Sequence, residues 1–346
     1  MKVNKKELVT ALKHFSFIKA KMIPMSNANI RMTLENGVLT LLGHDLYNSV
    51  EVTLNGIEGE NFDRIVAYTK FKSLLNTHRE DVTITFDETY CTISSAKINN
   101  KLVVGQGKFQ NKPLQQGKQT LEMESEVLVT AVKKAVVASS KIGGRPELEA
   151  ILFSDAIVGC NTYLTAISEI DAGLDFLLGQ TSVNLIKNLK GDVSISSDDI
   201  YVTFETETHT LFCRRLAIGY VPYTTMIADN VKAAVNVDSS LLIDMLKNCK
   251  ANNDEKVTIR IGNTLVLTSF GRSGSSDIKI TTELDPELSM SGSYSINVSP
   301  VDILSGIGAM KKSKRIGFEM GINTTHRKKS IIIFDDGGTF NIVEKR

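Results

Sequence analysis

Leu8-Val9-Thr10-Ala11-Leu12-Lys13 returns as Leu128-Val129-Thr130-Ala131-Val132-Lys133 and, more loosely, as Leu242-Ile243-Asp244-Met245-Leu246-Lys247. The copies start about a third of the 346-residue chain apart. A second element recurs at nearly the same distance: Asp81-Val82-Thr83-Ile84, Asp192-Val193-Ser194-Ile195 and, less clearly, Arg315-Ile316-Gly317-Phe318. Two elements repeated in one order point to an internal repeat, which decides the architecture before any single motif does. The expected organisation is three tandem domains, residues 1–117, 118–230 and 231–346. Polar stretches at Gln110–Gln119 and Ala228–Ala233 mark the expected linkers.

Each copy reads alike. Leu8, Leu12 and Phe15 form the i, i+4, i+7 stripe of a helix, with Asn4 and Glu7 placed as an approximate capping box. Ile30–Leu34 and Val38–Leu42 alternate around Asn36-Gly37, the signature of a type I′ hairpin. Val50–Leu54 adds a strand. A second helix starts near Thr69 on an apolar face of Phe71, Leu74 and Leu75, and strands at Val82–Phe86, Tyr90–Ser94 and Leu102–Gly105 follow. The later copies place helices near 126–138, 182–190, 239–250 and 300–310, the last capped by Ser299 with Pro300 at its first position. Two helices and several antiparallel hairpins per third make an α+β fold of three similar domains.

Composition narrows the function. Hydrophobic residues are 42% and charged residues 23%, the balance of a folded chain. No apolar run approaches the ~20 residues of a membrane helix, and no apolar stretch of a secretory signal follows the N-terminus. The four cysteines are far apart with no CxxC spacing, which fits a reducing cytoplasm and no structural zinc. Catalysis finds no support. The five histidines are scattered, Gly105-Gln106-Gly107 stands without the rest of a nucleotide fingerprint, and Gly143-Gly144 lacks the P-loop Lys-Ser/Thr. There is no GxSxG, and Asp335-Asp336 ahead of Gly337-Gly338 reads as a turn. No cofactor or metal is expected.

Net charge is +1, so any electrostatic function rests on distribution. The helical segments lean basic, while Glu58, Glu60, Asp87, Glu88, Asp198, Asp199, Asp285 and Glu287 fall in strands and loops. Lysines near helix C-termini complement the helix dipole whatever the function. Six basic helices together read as a surface for a polyanion. The candidates for that surface are Lys13, Lys72, Lys133, Lys187, Lys247 and Lys311 on or at the end of the helices, with Lys141 beyond the third. Aromatics are 6% with no Trp, which argues against base stacking and for phosphate contact.

Four segments then carry a resemblance: Leu41-Leu42-Gly43-His44-Asp45-Leu46, Leu148-Glu149-Ala150-Ile151-Leu152-Phe153, Leu216-Ala217-Ile218-Gly219-Tyr220-Val221-Pro222-Tyr223 and Ile296-Asn297-Val298-Ser299-Pro300. In this order they resemble segments of the bacterial sliding clamps, the beta subunits of DNA polymerase III, over nearly the whole chain. The resemblance implies a homodimeric ring of six similar domains, with helices lining the hole around double-stranded DNA and sheets forming the outer wall. It implies a non-enzymatic processivity factor in the cytoplasm that engages the replicative polymerase alpha subunit, the clamp loader and other proteins carrying clamp-binding motifs. It makes the basic helix candidates DNA-facing and adds Lys21 and Arg145, which match basic residues on the family's loops at the ring face. It also implies a peptide pocket, whose matching positions here are Leu148, Tyr163, Thr165, Pro222, Met226, Asn297, Pro300, Ile342 and Val343. Ordinary core is the alternative for Leu148, Met226 and Ile342. The chain departs from the family at Cys160–Thr165, where the family has Thr-Asp-Gly-His-Arg-Leu, and at the tail Val343–Arg346, where it has Met-Pro-Met-Arg-Leu. Those departures keep a rival reading open, a clamp-fold protein that binds clamp partners without loading on DNA.

Overall fold

The computed structural model describes residues 1–18, 28–105, 109–113, 119–139, 145–170, 173–251, 256–261, 265–271, 274–280, 294–309, 315–335 and 338–344. The first repeat runs β1 (Lys2–Val3), α1 (Lys5–Lys13), β2 (Asn29–Glu35), β3 (Val38–His44), β4 (Asn48–Leu54), β5 (Phe62–Ala67), α2 (Tyr68–Thr77), β6 (Val82–Phe86), β7 (Tyr90–Ser94) and β8 (Asn99–Gly105). Asn4 caps α1, its side chain accepting from the backbone N–H of Lys6 and Glu7. Asn36 and Gly37 take φ of 51° and 79°, the left-handed pair that a two-residue turn requires, and so set Glu35 opposite Val38.

The second repeat runs β9 (Gln119–Glu124), α3 (Ser125–Ala138), a single turn α4 (Pro146–Glu149), β10 (Ile151–Phe153), β11 (Ala156–Cys160), β12 (Leu164–Glu169), β13 (Phe176–Leu178), α5 (Gln180–Ile186), β14 (Asp192–Ser197), β15 (Tyr201–Glu205) and β16 (His209–Arg214). The third runs β17 (Asn230–Asp238), α6 (Ser239–Ala251), β18 (Val257–Ile261), β19 (Leu265–Gly271), β20 (Gly274–Ile280), β21 (Tyr294–Val298), α7 (Pro300–Ala309), β22 (Arg315–Asn323), β23 (Lys328–Asp335) and β24 (Gly338–Val343). Strand, helix, four strands, helix, three strands occurs three times, interrupted only by α4. The repeated sequence lies in α1, α3 and α6. There Leu8, Leu128 and Leu242 are buried, as are Leu12, Val132 and Leu246, while Lys13, Lys133 and Lys247 are exposed.

Contacts gather the chain into two units. Unit 1, residues 1–129 and 181–215, holds a twelve-stranded antiparallel sheet ordered β1-β6-β7-β8-β5-β2-β3-β4-β16-β15-β14-β9. Leu8, Leu12 and Phe15 pack α1 into its core at 0% exposure. Unit 2, residues 130–180 and 216–346, holds an eight-stranded sheet, β13-β10-β11-β12-β24-β23-β22-β17, and a four-stranded sheet, β20-β19-β18-β21. Its core joins Leu242 and Leu246 to Val257, Ile259, Ile303 and Phe340. In this unit α3 lies so close to β11 that a Cβ on Gly159 would stand 1.8 Å from the Ala135 carbonyl oxygen, and only glycine permits that approach.

The structure corrects the reading of the polar segments. Ala228–Ala233 is not a free linker, because β17 begins at Asn230 and pairs with β22. In the first segment Asn111 and Lys112 are tied to unit 1, Lys112 Nζ lying 2.9 Å from Glu51 and Asn111 accepting from Arg31 at 3.2 Å. No helix among the described residues is long and apolar enough to cross a membrane.

Candidate nucleic-acid interface and partner groove

Unit 1 carries a recess of about 610 Å³ lined by Lys13 and His14 at the end of α1, Lys72 of α2, Lys187 and Lys190 just beyond α5, and His209 of β16. Its apolar lining includes Val50 and Leu211, which face each other where β4 pairs with β16. No carboxylate lines it among the described residues. The two imidazoles lie with ring centroids 4.1 Å apart. Burial, reinforced by the charge of Lys190, lowers the pKa of His14 below the usual histidine range. Burial, and then His14 itself, pushes His209 down to about 4. His209 is steadied through Nδ1, 2.9 Å from the Thr206 hydroxyl. Near neutral pH both imidazoles are therefore neutral, in a recess that four lysine side chains also line.

Three of the DNA-facing candidates meet here: Lys13, Lys72 and Lys187. Lys72 donates to the Tyr68 hydroxyl at 2.9 Å, and Lys187 to Asn184 Oδ1 at 3.0 Å. The recess brings in Lys190 and both histidines, which chain position alone had left scattered. Elsewhere Lys133 is exposed on α3, Lys247 lies on α6 at 3.5 Å from Asp244, and exposed Arg145 is held by Glu147 at 2.7 Å. Lys21, Lys141 and Lys311 lie outside the described residues. Lys134 departs from the basic-face reading. It is buried, with Nζ 3.3 Å from Asp335, because the residue after Lys133 turns toward the core of unit 2 rather than to solvent. The same contact gives Asp335 a structural role.

The second site lies in unit 2 where β12 pairs with β24. Met226, Val343 and Cys160 form a small apolar cluster of their own, flanked by half-buried Tyr220, Val221 and Tyr223. Tyr220 donates to the Val158 carbonyl at 3.0 Å, and the 3-10 turn Tyr223–Met226 presents Met226. Beneath them Thr165 and Asn341, both 0% exposed, sit opposite each other across the strand junction. Asn341 donates to the Met226 carbonyl at 3.0 Å, and Thr165 Oγ1 lies 3.5 Å from Cys160 Sγ. Burial raises the Cys160 thiol to about 11, so it acts as a packing group and not as a nucleophile.

The pocket candidates divide around this cluster. Met226 and Val343 belong to it, Thr165 lies against Cys160, and Pro222 is exposed at the start of the 3-10 turn. Tyr163 is 43% exposed at the β11–β12 turn, its carbonyl accepting from Val343 N–H at 2.9 Å. Ile342 faces the opposite way, into the main core, because strand alternation puts Asn341 and Val343 on one face and Ile342 on the other. Asn297 is exposed on β21 and accepts from Thr258 at 2.7 Å. Pro300 is buried as the first residue of α7, and Leu148 is half-buried in α4; neither is part of the apolar cluster. Cys160, Tyr220, Val221, Tyr223 and Asn341 were not among the candidates. The quoted segment Leu216–Tyr223 already held Tyr220, Val221 and Tyr223, and the divergent stretch Cys160–Thr165 held Cys160; nothing in the sequence pointed to Asn341.

Solved structures match this architecture along its whole length. The DNA polymerase III subunit beta of Pseudomonas aeruginosa aligns over 100% of this chain and 99% of its own, with TM-score 0.88 and 13% identity. The chain has the fold of the bacterial DNA sliding clamp. The beta subunit of Thermotoga maritima aligns with the same fold over 100% of this chain and 98% of its own, at TM-score 0.86 and 17% identity. The Helicobacter pylori beta clamp bound to a DNA ligase peptide covers 100% and 99%, at 0.86 and 15%. Neither a protein-family model nor a curated protein sequence matches the chain. At such identities the shared property is the clamp fold.

Proposed function

We propose that this chain is a DNA sliding clamp, two copies of which close into a ring around duplex DNA and tether the replicative polymerase without reading sequence. The observation that carries this reading is a repeated strand junction. In each repeat the third of the four consecutive strands lies at a group edge: β4 pairs with β16, the last strand of the second repeat, and β12 pairs with β24, the last strand of the third. The same rule leaves β20 and β8 over. β20 ends its sheet, and β8 meets β5 only through Val104 and Gly105, so the Asn99–Val103 edge is open among the described residues. Val103 on that edge is 58% exposed. Setting β20 of one copy on β8 of another applies the rule a third time. Doing so twice closes a two-fold ring of six domains (1–117, 118–230 and 231–346 from each copy) and removes edges that would otherwise invite aggregation.

The basic helices supply the rest. Lys13, Lys72, Lys133, Lys187 and Lys247, with Arg145, Lys21, Lys141 and Lys311, are assigned to the duplex. Lysine suits the task, because a hydrated point charge on a flexible stem exchanges phosphates without fixing a register, whereas bidentate arginine pairs would arrest sliding. Residence then comes from enclosure. The Met226–Val343 cluster, with half-buried Tyr220, Val221 and Tyr223 and exposed Pro222 and Tyr163 around it, is assigned to short partner peptides with apolar anchors, including those of the polymerase alpha subunit and the clamp loader, and tethering there raises the partner's effective concentration at the primer end. No catalytic step is assigned.

The test is topological. The expected solution mass is about twice 38.0 kDa, and loaded protein is expected to stay on nicked circular DNA and run off the same DNA once linearised. Val103→Pro, which removes an edge donor, is expected to give a folded monomer that no longer stays on the circle. Equal retention on circular and linear DNA would overturn the reading and leave a groove binder.

A further inference from the structure

The two strand junctions are also alike on the sheet face away from α1 and α3. A Cβ on Gly43 would stand against Phe15, and one on Gly159 against Ala135, so alternation sets the next residue of each strand, His44 and Cys160, on the opposite face. The turn that follows is the same in both units. Asp45 accepts from the backbone N–H of Tyr47 and Asn48 at 2.7 Å, and Asn161 from those of Tyr163 and Leu164 at 2.8 Å. The Tyr47 carbonyl then accepts from Arg214 N–H at 2.8 Å, and the Tyr163 carbonyl from Val343 N–H at 2.9 Å. One residue further, Arg215 N–H donates to the Ile200 carbonyl at 2.8 Å, and Glu344 N–H to that of Lys329 at 2.9 Å. The Phe109 ring lies 4.4 Å from that of His44, as Tyr220 lies against the cluster that holds Cys160. The partner cluster of unit 2 therefore has a counterpart in unit 1, built on the same backbone with different side chains.

In unit 2 the strand end offers buried Val343 beside half-buried Lys329. In unit 1 it offers exposed Arg214, and the turns tied to it hold Leu46, Tyr47 and Ile200 at 58%, 50% and 55% exposure. Large apolar side chains left that open at adjoining turns mark an interaction surface. Arg214 enters no ion pair among the described residues. Asp45 and Asp198 turn their carboxylates to backbone N–H groups of their own turns, and Asp199 is exposed next to Ile200. We propose that this pair of turns is a second docking site for a short partner peptide, one that carries a carboxylate for Arg214 between apolar side chains for Leu46 and Tyr47 on one side and Ile200 on the other. The guanidinium–carboxylate pair fixes orientation through charge-assisted hydrogen bonds, and the apolar anchors supply affinity. The inference rests on the reading of the Met226–Val343 cluster as a peptide site and adds a second site with its own ligand chemistry.

A random nonapeptide library displayed on phage and selected on the full-length protein tests this. The selection is run on the unchanged protein and on Tyr163→Glu with Pro222→Glu, changes at exposed positions that block the cluster of unit 2. On the blocked protein the enriched peptides are expected to carry an Asp or Glu flanked by apolar residues and to bind once per chain. Leu46→Ser with Ile200→Ser is expected to weaken them about tenfold or more, and Arg214→Gln about threefold at low salt. Val127→Ser, which removes an equally exposed apolar side chain from α3, is expected to move Kd less than about twofold. No enrichment on the blocked protein, or enriched peptides indifferent to Leu46→Ser with Ile200→Ser, would overturn the site. Enriched peptides without a carboxylate would overturn the part given to Arg214. The reading of the unit 2 cluster fails separately, since it requires peptides that bind the unchanged protein and are lost with Tyr163→Glu and Pro222→Glu, whatever unit 1 binds.

Discussion

The two internal strand junctions are built by the same rule and filled with opposite chemistry. Where β4 meets β16, the residue following the repeated helix lysine is His14, and its tilted ring lies 4.1 Å from that of His209. Where β12 meets β24, the residue following the equivalent lysine is Lys134, and it is buried in an ion pair with Asp335. In the third repeat the corresponding residue is Asn248, which is exposed. The scaffold thus fixes where a helix end lands on a sheet and leaves the chemistry of the landing point free. One junction became a cationic recess and the other holds a buried ion pair with a small apolar cluster beside it.

The largest expected effect lies at the β12–β24 junction. Lys134 is 4% exposed and its partner's side chain 9%. Lys134→Ala removes the ammonium from this buried ion pair, and breaking a buried pair costs about 3–5 kcal/mol. Replacing both, as Lys134→Met with Asp335→Asn, is expected to recover most of that loss, because both charges of the pair are then gone. Denaturant unfolding of the two variants measures it. Equal destabilisation would mean that Lys134 acts by packing rather than by charge.

How far the sequence carried this contrast differs between fold and site. The α1 stripe of Leu8, Leu12 and Phe15, the Asn36-Gly37 turn, β6 and β7 were all legible, because amphipathic period and turn chemistry are local properties. β5 was not read, since Phe62-Asp63-Arg64-Ile65 lacks clean alternation and is specified by pairing with β2. Lys13, Lys72 and Lys187 could be picked out as basic helix residues. Their convergence with Lys190, His14 and His209 could not, because it depends on α1, α2 and β16 being brought together from distant parts of the chain. Lys133 and Lys134 are indistinguishable by type, and only the orientation of α3 decides that one meets solvent and the other Asp335.

The β4–β16 junction has its own titration, and its expected effect is smaller. His209 is 7% exposed, and burial pushes its pKa down to about 4. The folded state therefore holds the neutral ring, while the unfolded chain takes a proton near 6.5. Stability from this group is complete above about pH 6.5 and is lost as pH falls toward 4, by at most on the order of 3 kcal/mol. Thermal unfolding between those pH values is expected to show the fall in wild type and a flatter profile in His209→Gln. Parallel profiles would assign the acid sensitivity to carboxylates instead.

The finest test of the contrast removes one charge from each junction. Lys190 lowers the pKa of His14, second only to burial. Lys190→Gln is therefore expected to raise the His14 titration point toward the ordinary histidine value, read from the imidazole proton shift in an NMR titration. Burial is untouched by this change, so the recovery stays incomplete. Lys133→Gln, the same loss of charge on exposed α3, is expected to leave the His14 curve where it is. If both variants move the curve equally, the histidine senses only the net charge of the protein, and the recess loses its standing as an electrostatic unit. If only Lys190→Gln moves it, His14 reads the recess, as its position in the repeat and its partners there require.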